Sequence, residues 1–210
     1  GALRPNGDDM AAIPLAAAIE VFHAFTLIHD DIMDQDTRRR GKPTVYAQHS
    51  EIARITLGLD DRAALHYGEA IGILAGDILQ GWSASLLADL VAASDVSDAV
   101  ALAVLNELFQ RVNLILIRGQ FLDIAYSRKS YTDVSDDQIL EMMAMKTGIL
   151  YEFAGRAGAA IGSGTPDLQD RQVDRIARFA NLCGTAFQIQ DDVLGITGNS
   201  AQLGKAVGAD

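Results

Sequence analysis

The sequence has 210 residues and a formal charge of −11, with 28 acidic and 17 basic residues. This length suffices for one sizeable core, and the negative charge disfavours nonspecific binding to nucleic acid or to an anionic membrane surface. Because 49% of the residues are hydrophobic and the apolar residues recur at helical spacing, we predict a single all-α domain over residues 1–210.

The lone cysteine, Cys183, excludes an internal disulfide. No charged segment followed by an apolar stretch opens the chain. Uninterrupted apolar runs such as residues 114–117 are far shorter than a membrane span of 18 or more residues. We therefore expect a cytoplasmic protein with no membrane span.

Five long helices are predicted from the spacing of apolar residues. The first runs from residue 11 to about residue 35 and ends in an acidic cluster. Residues 37–60 contain glycine and proline breaks and are predicted as a loop with one short helix. The second helix is predicted at 62–93, where Gly72 and Gly76 would let another helix approach closely.

The remaining helices are predicted at 97–126, 136–162 and about 167–193, with a clear break at GSGTPD. No convincing strand is predicted. Helices of about 25 residues are roughly 37 Å long, so the chain is predicted to form a bundle of long helices.

The motif DDIMD places Asp30 and Asp34 on one face of the first helix, whereas Asp31 points about 100° away. Like charges at this spacing destabilise a helix, so something must compensate for them. Mg²⁺ fits, because it takes one or two carboxylates and completes its shell with water and phosphate oxygens. The alternative is a solvated acidic helix end.

A second carboxylate pair, Asp191 and Asp192, closes the last helix. Two helices that end in aspartate pairs can hold metal ions between them, which strengthens the metal interpretation. Gln120, Asp123 and Lys146 interrupt the otherwise apolar faces of their predicted helices. Together they could line the polar entrance of one cavity. Each of them alone also fits an ordinary helix surface.

The segment RRRGKP follows the acidic motif after three intervening residues. Arg39 and Arg40 carry guanidinium groups suited to bidentate phosphate contacts, although a solvent-exposed basic loop is the alternative. The four histidines match no metal-binding spacing, and no serine lies in a nucleophile elbow. Zinc sites and hydrolytic triads are therefore not expected.

The chain closely resembles the trans-type polyprenyl diphosphate synthases, and among them the geranylgeranyl diphosphate synthases. The resemblance covers nearly the whole chain from residue 11 and rests on DDIMD, TRRRGKPT, YGEAIGILAGDIL, GQFLD, MKTG, FQIQDDVLG and LGKAVGAD. It implies the all-α isoprenoid synthase fold around a central cavity. It also implies a homodimeric, Mg²⁺-dependent prenyltransferase that uses three ions to condense isopentenyl diphosphate with an allylic prenyl diphosphate.

The resemblance further implies a role for each matching residue. Mg²⁺ would be held by Asp30, Asp34 and Asp191, with Asp31 and Asp192 in support and Asp123 nearby. The allylic diphosphate would be bound by Arg39, Lys146 and Lys205, and isopentenyl diphosphate by Arg40 and Arg4. The developing carbocation and the allylic head would be faced by Thr147 and Gln188, and Gln120 would line the substrate site.

Product length can be predicted from the helix below the metal site. Thr26 and Phe22 lie about 6 and 12 Å deeper than Asp30 on the same face, and Phe25 lies about 7.5 Å down and 140° around. The small side chain of Thr26 leaves room for the growing prenyl chain, whereas the ring of Phe22 can block its further extension. An aromatic residue at Phe25 with a small neighbour resembles archaeal-type geranylgeranyl synthases, which implies a C20 product, with C15 second. Ordinary core packing of both phenylalanines is the alternative.

The chain departs from the family pattern in two places. It opens with GALRP, where Arg4 and Pro5 match but the usual lysine is missing, and we expect that the numbering joins ordered pieces of a longer protein. Gly195 stands where many relatives carry a third aspartate. Three alternatives stay open: a farnesyl diphosphate synthase, a class I terpene cyclase and a non-catalytic subunit of a heteromeric prenyl synthase.

Overall fold

The computed structural model describes residues 10–92 and 96–197, without the side chains of residues 11, 92, 131 and 196. The predicted substrate-binding residues Arg4 and Lys205 lie outside the described residues. The described part of the chain is almost entirely helical, which confirms the predicted all-α fold class.

Residues 10–92 contain three α-helices and one short hairpin. The helices are α1 (Ile13–Met33), α2 (Val45–Leu57) and α3 (Asp61–Ala92), and a 3₁₀ turn at Met10–Ala12 precedes α1. The prediction that the chain has no strand is wrong, because β1 (Arg38–Arg39) pairs antiparallel with β2 (Lys42–Pro43). Strands of two residues are too short to produce an alternating pattern.

A two-residue turn closes this hairpin. Its residues, Arg40 and Gly41, both have positive φ, at 50° and 75°. Two-residue hairpin loops with positive φ at both positions match the twist of the flanking strands. The turn therefore gives the basic segment a defined shape in place of the predicted loop.

The second half contains two long helical runs that are each interrupted by a π-helical segment. The first run consists of α4 (Asp98–Asn106), a π segment (Glu107–Val112) and α5 (Asn113–Tyr126). The second consists of α6 (Asp136–Met143), a π segment (Ala144–Gly148) and α7 (Ile149–Ser163). A π segment is a local bulge within an α-helix, and the residues in it are of the same types as those in the helix around it. The spacing of apolar residues therefore predicted each run as one helix.

The last helix, α8 (Arg171–Thr197), begins about four residues later than predicted. The delay follows from Asp170, whose Oδ1 accepts hydrogen bonds from the backbone nitrogens of Gln172 and Val173 at 2.8 and 3.4 Å. An aspartate that satisfies the first backbone N–H groups of a helix acts as its N-cap. The helix therefore starts directly after Asp170.

The described residues form two compact units. One contains those within 1–19 and 84–190, and the other contains those within 20–83 and 191–210. The prediction of a single domain stays a prediction.

In the unit of residues 20–83, a row of glycines on α3 provides space for its neighbours. A Cβ on Gly68 would overlap the Tyr46 carbonyl of α2, and a Cβ on Gly72 would lie 2.7 Å from Ile32 Cδ1 of α1. One turn further on, a Cβ on Gly76 would overlap the His29 ring. The predicted close approach at Gly72 and Gly76 is thus confirmed, and the helix that approaches is α1.

The unit of residues 84–190 has an apolar core with a charged group inside it. Its fully buried side chains include Leu87, Leu90, Val100, Val104, Leu108, Val112, Phe153 and Val173. Arg156 is only 4% exposed. Its guanidinium lies 2.9 Å from Glu152 and 3.3 Å from Asp174, and it donates to the Leu168 carbonyl at 2.5 Å.

Further partners balance the charges around Glu152. Arg111 donates to Glu107 and to Glu152, each at 2.6 Å, and Asn181 donates to Glu152 at 3.0 Å. Burial raises the pKa of Glu152, but the hydrogen bonds and charges of Arg111 and Arg156 outweigh burial, so the pKa lies below its ordinary value. The network joins the first π segment, α7 and α8.

Within residues 10–92 and 96–197, three helices are long and apolar enough, by length and composition, to cross a membrane: Ile13–Met33, Asp61–Val91 and Asp98–Tyr126. The prediction of no membrane span is therefore not confirmed. It rests on uninterrupted apolar runs, whereas hydropathy averaged over a window tolerates an occasional charge. The cytoplasmic location stays a prediction.

We expect that Arg156→Met lowers the free energy of unfolding by about 3–5 kcal/mol, because it leaves buried carboxylates without their cation. Urea unfolding measures the change. The matched control is Arg178→Met, since the Arg178 side chain is 78% exposed in its pair with Asp174 and should change stability by less than about 0.5 kcal/mol. Equal effects of the two substitutions would contradict a stabilising role for the network.

Candidate functional site

The acidic motif lies at the carboxyl end of α1, as predicted. The backbone nitrogen of Asp34 donates to the Asp30 carbonyl at 2.9 Å, so the helical register continues and keeps these two residues on one face. Asp34 is exposed, whereas Asp31 is only 4% exposed. The three aspartates thus occupy different surroundings, although the sequence presents them as one cluster.

Arg39 contacts several of these carboxylates. Its Nε donates to Asp31 Oδ1 at 2.6 Å, and its Nη2 lies 3.6 Å from Asp30 Oδ2 and 3.8 Å from Asp36 Oδ2. Burial raises the pKa of Asp31, and the hydrogen bond and charge of Arg39 oppose that effect only in part. A cation of the chain itself therefore compensates part of the repulsion that the sequence indicates.

The three arginines of the hairpin have different surroundings. Arg38 is exposed and its Nη2 donates to the Gly41 carbonyl at 2.6 Å, which braces the turn. Arg39 is half-buried at the aspartates, and Arg40 is exposed at the turn. Of the two arginines predicted to bind phosphate, Arg39 is therefore held by the protein, and Arg40 faces solvent in the described structure.

The side chains predicted to limit product length lie along α1. Phe22 is fully buried and Phe25 is 6% exposed, with ring centroids 5.1 Å apart in an edge-to-face arrangement. Thr26 donates its hydroxyl to the His23 carbonyl at 2.8 Å. Buried aromatic rings fit both a pocket floor and ordinary core packing, so the chain-length role stays a prediction.

A second polar cluster lies in the unit of residues 84–190. Lys146 Nζ lies 2.6 Å from Asp123 Oδ2 of α5, and Thr147 donates its hydroxyl to Gln188 Oε1 of α8 at 2.7 Å. The second π segment carries both Lys146 and Thr147. These four predicted residues are therefore brought together, and Gln120 is half-buried one turn before Asp123.

Two glycines allow the second π segment to approach its neighbours. A Cβ on Gly119 of α5 would lie 2.7 Å from the Met145 carbonyl carbon, and a Cβ on Gly148 would lie 2.8 Å from Thr185 Oγ1 of α8. Gly119 lies one turn before Asp123, and Thr185 lies one turn before Gln188. Each polar pair is thus placed next to a close contact that only glycine permits.

His29 holds the last turn of α1, which the sequence interpretation did not foresee. Its Nε2 lies 3.1 Å from the Ile73 carbonyl and 3.8 Å from Asp77 Oδ1, in the space that Gly76 leaves open. The combination of a histidine directly before DDIMD with glycines four apart on α3 is the signal that could have identified this contact.

The carboxylates of the motifs fit a hard cation as part of a mixed shell. Among residues 10–92 and 96–197, no group of three or more histidine, cysteine, aspartate or glutamate side chains converges to hold a metal ion. Mg²⁺ needs only one or two carboxylates when phosphate oxygens and water complete its octahedron. Asp30 and Asp34 supply that number. The expected meeting of Asp191 with them stays a prediction, as does the supporting role of Asp192.

We expect that Gly119→Ala destabilises the fold by about 1–3 kcal/mol, because the added methyl group overlaps the backbone of the second π segment. The matched control is Gly158→Ala in α7, where a Cβ meets nothing within 4 Å, so that the substitution should stabilise the helix by about 0.5–1 kcal/mol. Urea unfolding measures both. Opposite signs support the close contact, and two stabilised variants would refute it.

Several relatives resemble the chain. It is 35% identical over 205 residues to a geranylgeranyl diphosphate synthase of Sulfolobus acidocaldarius, which covers 98% of this chain and 54% of that protein. It is 32% identical over 208 residues to the chloroplastic heterodimeric geranylgeranyl pyrophosphate synthase large subunit 1 of Arabidopsis thaliana, which covers 98% of this chain and 50% of that protein.

A solved structure has the same fold. It is a geranylgeranyl pyrophosphate synthase from Corynebacterium glutamicum complexed with isoprenyl diphosphate and magnesium. Its TM-score is 0.81 at 30% identity, and the match covers 97% of this chain and 54% of that one. The predicted isoprenoid synthase fold is therefore confirmed.

The chain spans about half the length of the relatives that it matches. The profile of one family, Polyprenyl synthetase, matches residues 2–210, nearly the whole chain. This match confirms the family resemblance that the ordered motifs indicate. The chain belongs to the Polyprenyl synthetase family.

Proposed function

We propose that this chain is part of a Mg²⁺-dependent trans-prenyltransferase that condenses isopentenyl diphosphate with an allylic prenyl diphosphate. The observation that carries the proposal is the arrangement at the end of α1, where the Arg39 guanidinium lies against Asp30, Asp31 and Asp36. Anionic and cationic groups side by side suit a diphosphate that is bound both directly and through metal ions. Family membership and the relatives' printed names support this substrate class.

In this proposal, Asp30, Asp34 and Asp191 hold Mg²⁺, and three ions are used. When bound, the ions supply the positive charge that stabilises the departing diphosphate. Arg39 and Lys146 would each donate to a diphosphate. Asp123 orients Lys146 for this contact, since the two side chains lie 2.6 Å apart.

The reaction breaks the bond between the allylic carbon and its oxygen, and the diphosphate leaves with the electron pair. The double bond of isopentenyl diphosphate then attacks the allylic carbon, and the new product loses a proton to the departing diphosphate. Thr147 and Gln188, which are hydrogen-bonded to each other, would present polar oxygen and amide groups to the allylic head. The buried faces of Phe22 and Phe25 would keep water from the carbocation.

We further propose a homodimer. Leu114, Ile117 and Phe121 are 61%, 51% and 68% exposed on α5, and their spacing of three and four places them on one face. An apolar face of this kind favours burial against a partner. A second copy of the chain is the partner that we propose.

The function is tested with the purified full-length protein, Mg²⁺, labelled isopentenyl diphosphate and allylic starters of five, ten and fifteen carbons. We expect a C20 diphosphate from the fifteen-carbon starter, and Asp34→Asn should abolish its formation. Products that stop at C15 would identify a farnesyl diphosphate synthase. Turnover without isopentenyl diphosphate would identify a cyclase, and activity only with a second chain would identify a subunit. Absence of any longer diphosphate would refute the proposal.

We predict that Phe25→Ala shifts the main product from C20 to longer chains, because loss of the ring opens the region below Thr26. Chromatography of the dephosphorylated products measures the shift, and circular dichroism checks the fold. The matched control is Phe179→Ala, which removes a ring that is 69% exposed and should leave product length unchanged. An unaltered C20 distribution in Phe25→Ala would refute the proposed pocket floor.

We predict that Arg40→Asn stabilises the protein by about 1 kcal/mol, because asparagine adopts positive φ more readily than arginine. The same substitution should raise KM for isopentenyl diphosphate by about tenfold or more, because a charge-assisted phosphate contact is lost. Urea unfolding and steady-state kinetics measure the two effects.

The matched control for Arg40 is Gln35→Asn. Gln35 also has a positive φ, of 58°, so its replacement should stabilise the protein in the same way without changing KM for isopentenyl diphosphate. An unchanged KM in Arg40→Asn would argue against the phosphate role of Arg40.

A further inference from the structure

Helix α8 packs closely on α7 through small residues. A Cβ on Gly155 of α7 would lie 2.9 Å from Ala180 Cβ, and a Cβ on Gly184 of α8 would lie 2.7 Å from the Tyr151 ring. Small residues allow two helices to approach, but they have no side chain that fixes the rotation of one helix against the other. Directed hydrogen bonds across the contact can fix it, because they weaken steeply when they are bent.

Three side-chain hydrogen bonds cross this contact, each between a residue of α7 or the second π segment and a residue of α8. They join Arg156 to Asp174 at 3.3 Å, Glu152 to Asn181 at 3.0 Å, and Thr147 to Gln188 at 2.7 Å. The members on α8 follow each other at intervals of seven residues, which is close to two helical turns. They therefore form one polar row on the face of α8 that meets α7.

Glu152 is a fixed acceptor for the middle member of this row. Its Oε1 accepts from Arg111 at 2.6 Å and from Arg156 at 2.9 Å, and its Oε2 accepts from Asn181 Nδ2 at 3.0 Å. Burial raises the pKa of Glu152, but the two arginines outweigh burial and hold the pKa below its ordinary value. The carboxylate is thus charged and anchored through one oxygen, and its other oxygen holds Asn181.

The Asn181 amide also reaches the second π segment. Its Oδ1 accepts from Thr185 Oγ1 at 3.4 Å, and a Cβ on Gly148 would lie 2.9 Å from that Oδ1. Gly148 follows Thr147 directly, and Gln188 lies seven residues after Asn181. The amide therefore connects the buried carboxylate with the part of the chain that carries the Thr147–Gln188 pair.

We infer that Asn181 is a positioning residue, which acts on the allylic substrate through Gln188. The inference deepens the proposed function and rests on it. The bond from Asn181 to Glu152 sets the rotation of α8 and so holds Gln188 against Thr147. Without this bond, the contact between small residues permits α8 to turn, which moves the Gln188 amide. A displacement of about 1 Å in a group that orients a substrate can cost about a hundredfold in rate.

The test measures kcat and KM of the full-length protein at pH 8 with isopentenyl diphosphate, the fifteen-carbon allylic diphosphate and Mg²⁺. Asn181→Asp places a carboxylate against Glu152, so the donor is lost and the two charges repel each other. We expect kcat to fall by about tenfold, while KM for isopentenyl diphosphate changes by less than about threefold, because the misplaced group faces the other substrate. An unchanged kcat would overturn the inference. Should Asn181→Asp fail to fold, Asn181→Leu takes its place, since it removes the donor without adding a charge.

Exchange of the two groups should restore the bond. In the double variant Asn181→Asp with Glu152→Gln, the amide donates, the carboxylate accepts, and the net charge equals that of the wild type. We expect kcat to return to within about threefold of the wild-type value. A double variant as slow as Asn181→Asp would overturn the inference.

A Gln188→Ala background separates positioning from a merely structural role. There, Asn181→Asp should lower kcat by less than about twofold further, because residues that act through one another are not additive. A full tenfold further loss would overturn the inference. The matched control is Asn106→Asp, which adds the same charge at an exposed position of α4 and should leave kcat within about twofold. A loss as large as that of Asn181→Asp would show a general charge effect and overturn the inference.

Crystal structures allow the two proposals to fail separately, because they show the bond between Thr147 and Gln188 without turnover. We expect this bond, which is 2.7 Å long, to exceed about 3.5 Å in Asn181→Asp and to re-form in the exchanged double variant. A lengthened bond in a protein that makes no longer prenyl diphosphate would refute the proposed function alone. Prenyl transfer with an unchanged bond in Asn181→Asp would refute the positioning role alone.

Discussion

The contact between Arg39 and the aspartates of α1 is the constraint on which the candidate site depends. Carboxylates at Asp30 and Asp34 repel each other and oppose the dipole at a helix carboxyl end. Arg39 offsets part of this repulsion, because its Nη2 lies 3.6 Å from Asp30 Oδ2 while its Nε donates to Asp31 Oδ1 at 2.6 Å. The acidic motif and the basic hairpin are therefore one structural element. The positive charge of Arg39 and the negative charges of Asp30 and Asp31 stabilise each other.

Close approach of backbones places the other polar groups. Gly76 admits His29, which fixes the last turn of α1, and Gly119 admits the π segment that carries Lys146. In both cases a larger residue would separate two helices, and the polar contact one turn away would be lost or lengthened. Glycines that look like ordinary helix residues in the sequence are therefore part of the site's geometry.

The buried network around Arg156 contains no residue that the motifs identify. Arg111 and Arg156 together face the carboxylates of Glu107, Glu152 and Asp174. This pairing keeps a buried cation from being destabilising. Periodicity could not predict it, since Arg156 interrupts an apolar face in the same way as a surface residue. Burial depends on which helices meet, and local sequence does not contain that information.

The sequence by itself determined the long helices and the ordered motifs, because apolar spacing and short-range charge patterns are local properties. Only the tertiary structure decided how the members of each motif differ. Asp31 differs from Asp30 and Asp34 because the hairpin brings Arg39 against one face of α1, and the hairpin exists because Arg40 and Gly41 adopt positive φ. The rotation of the helix points neighbouring aspartates in different directions. The role of each aspartate then depends on which side chains of other segments the fold brings into contact with it.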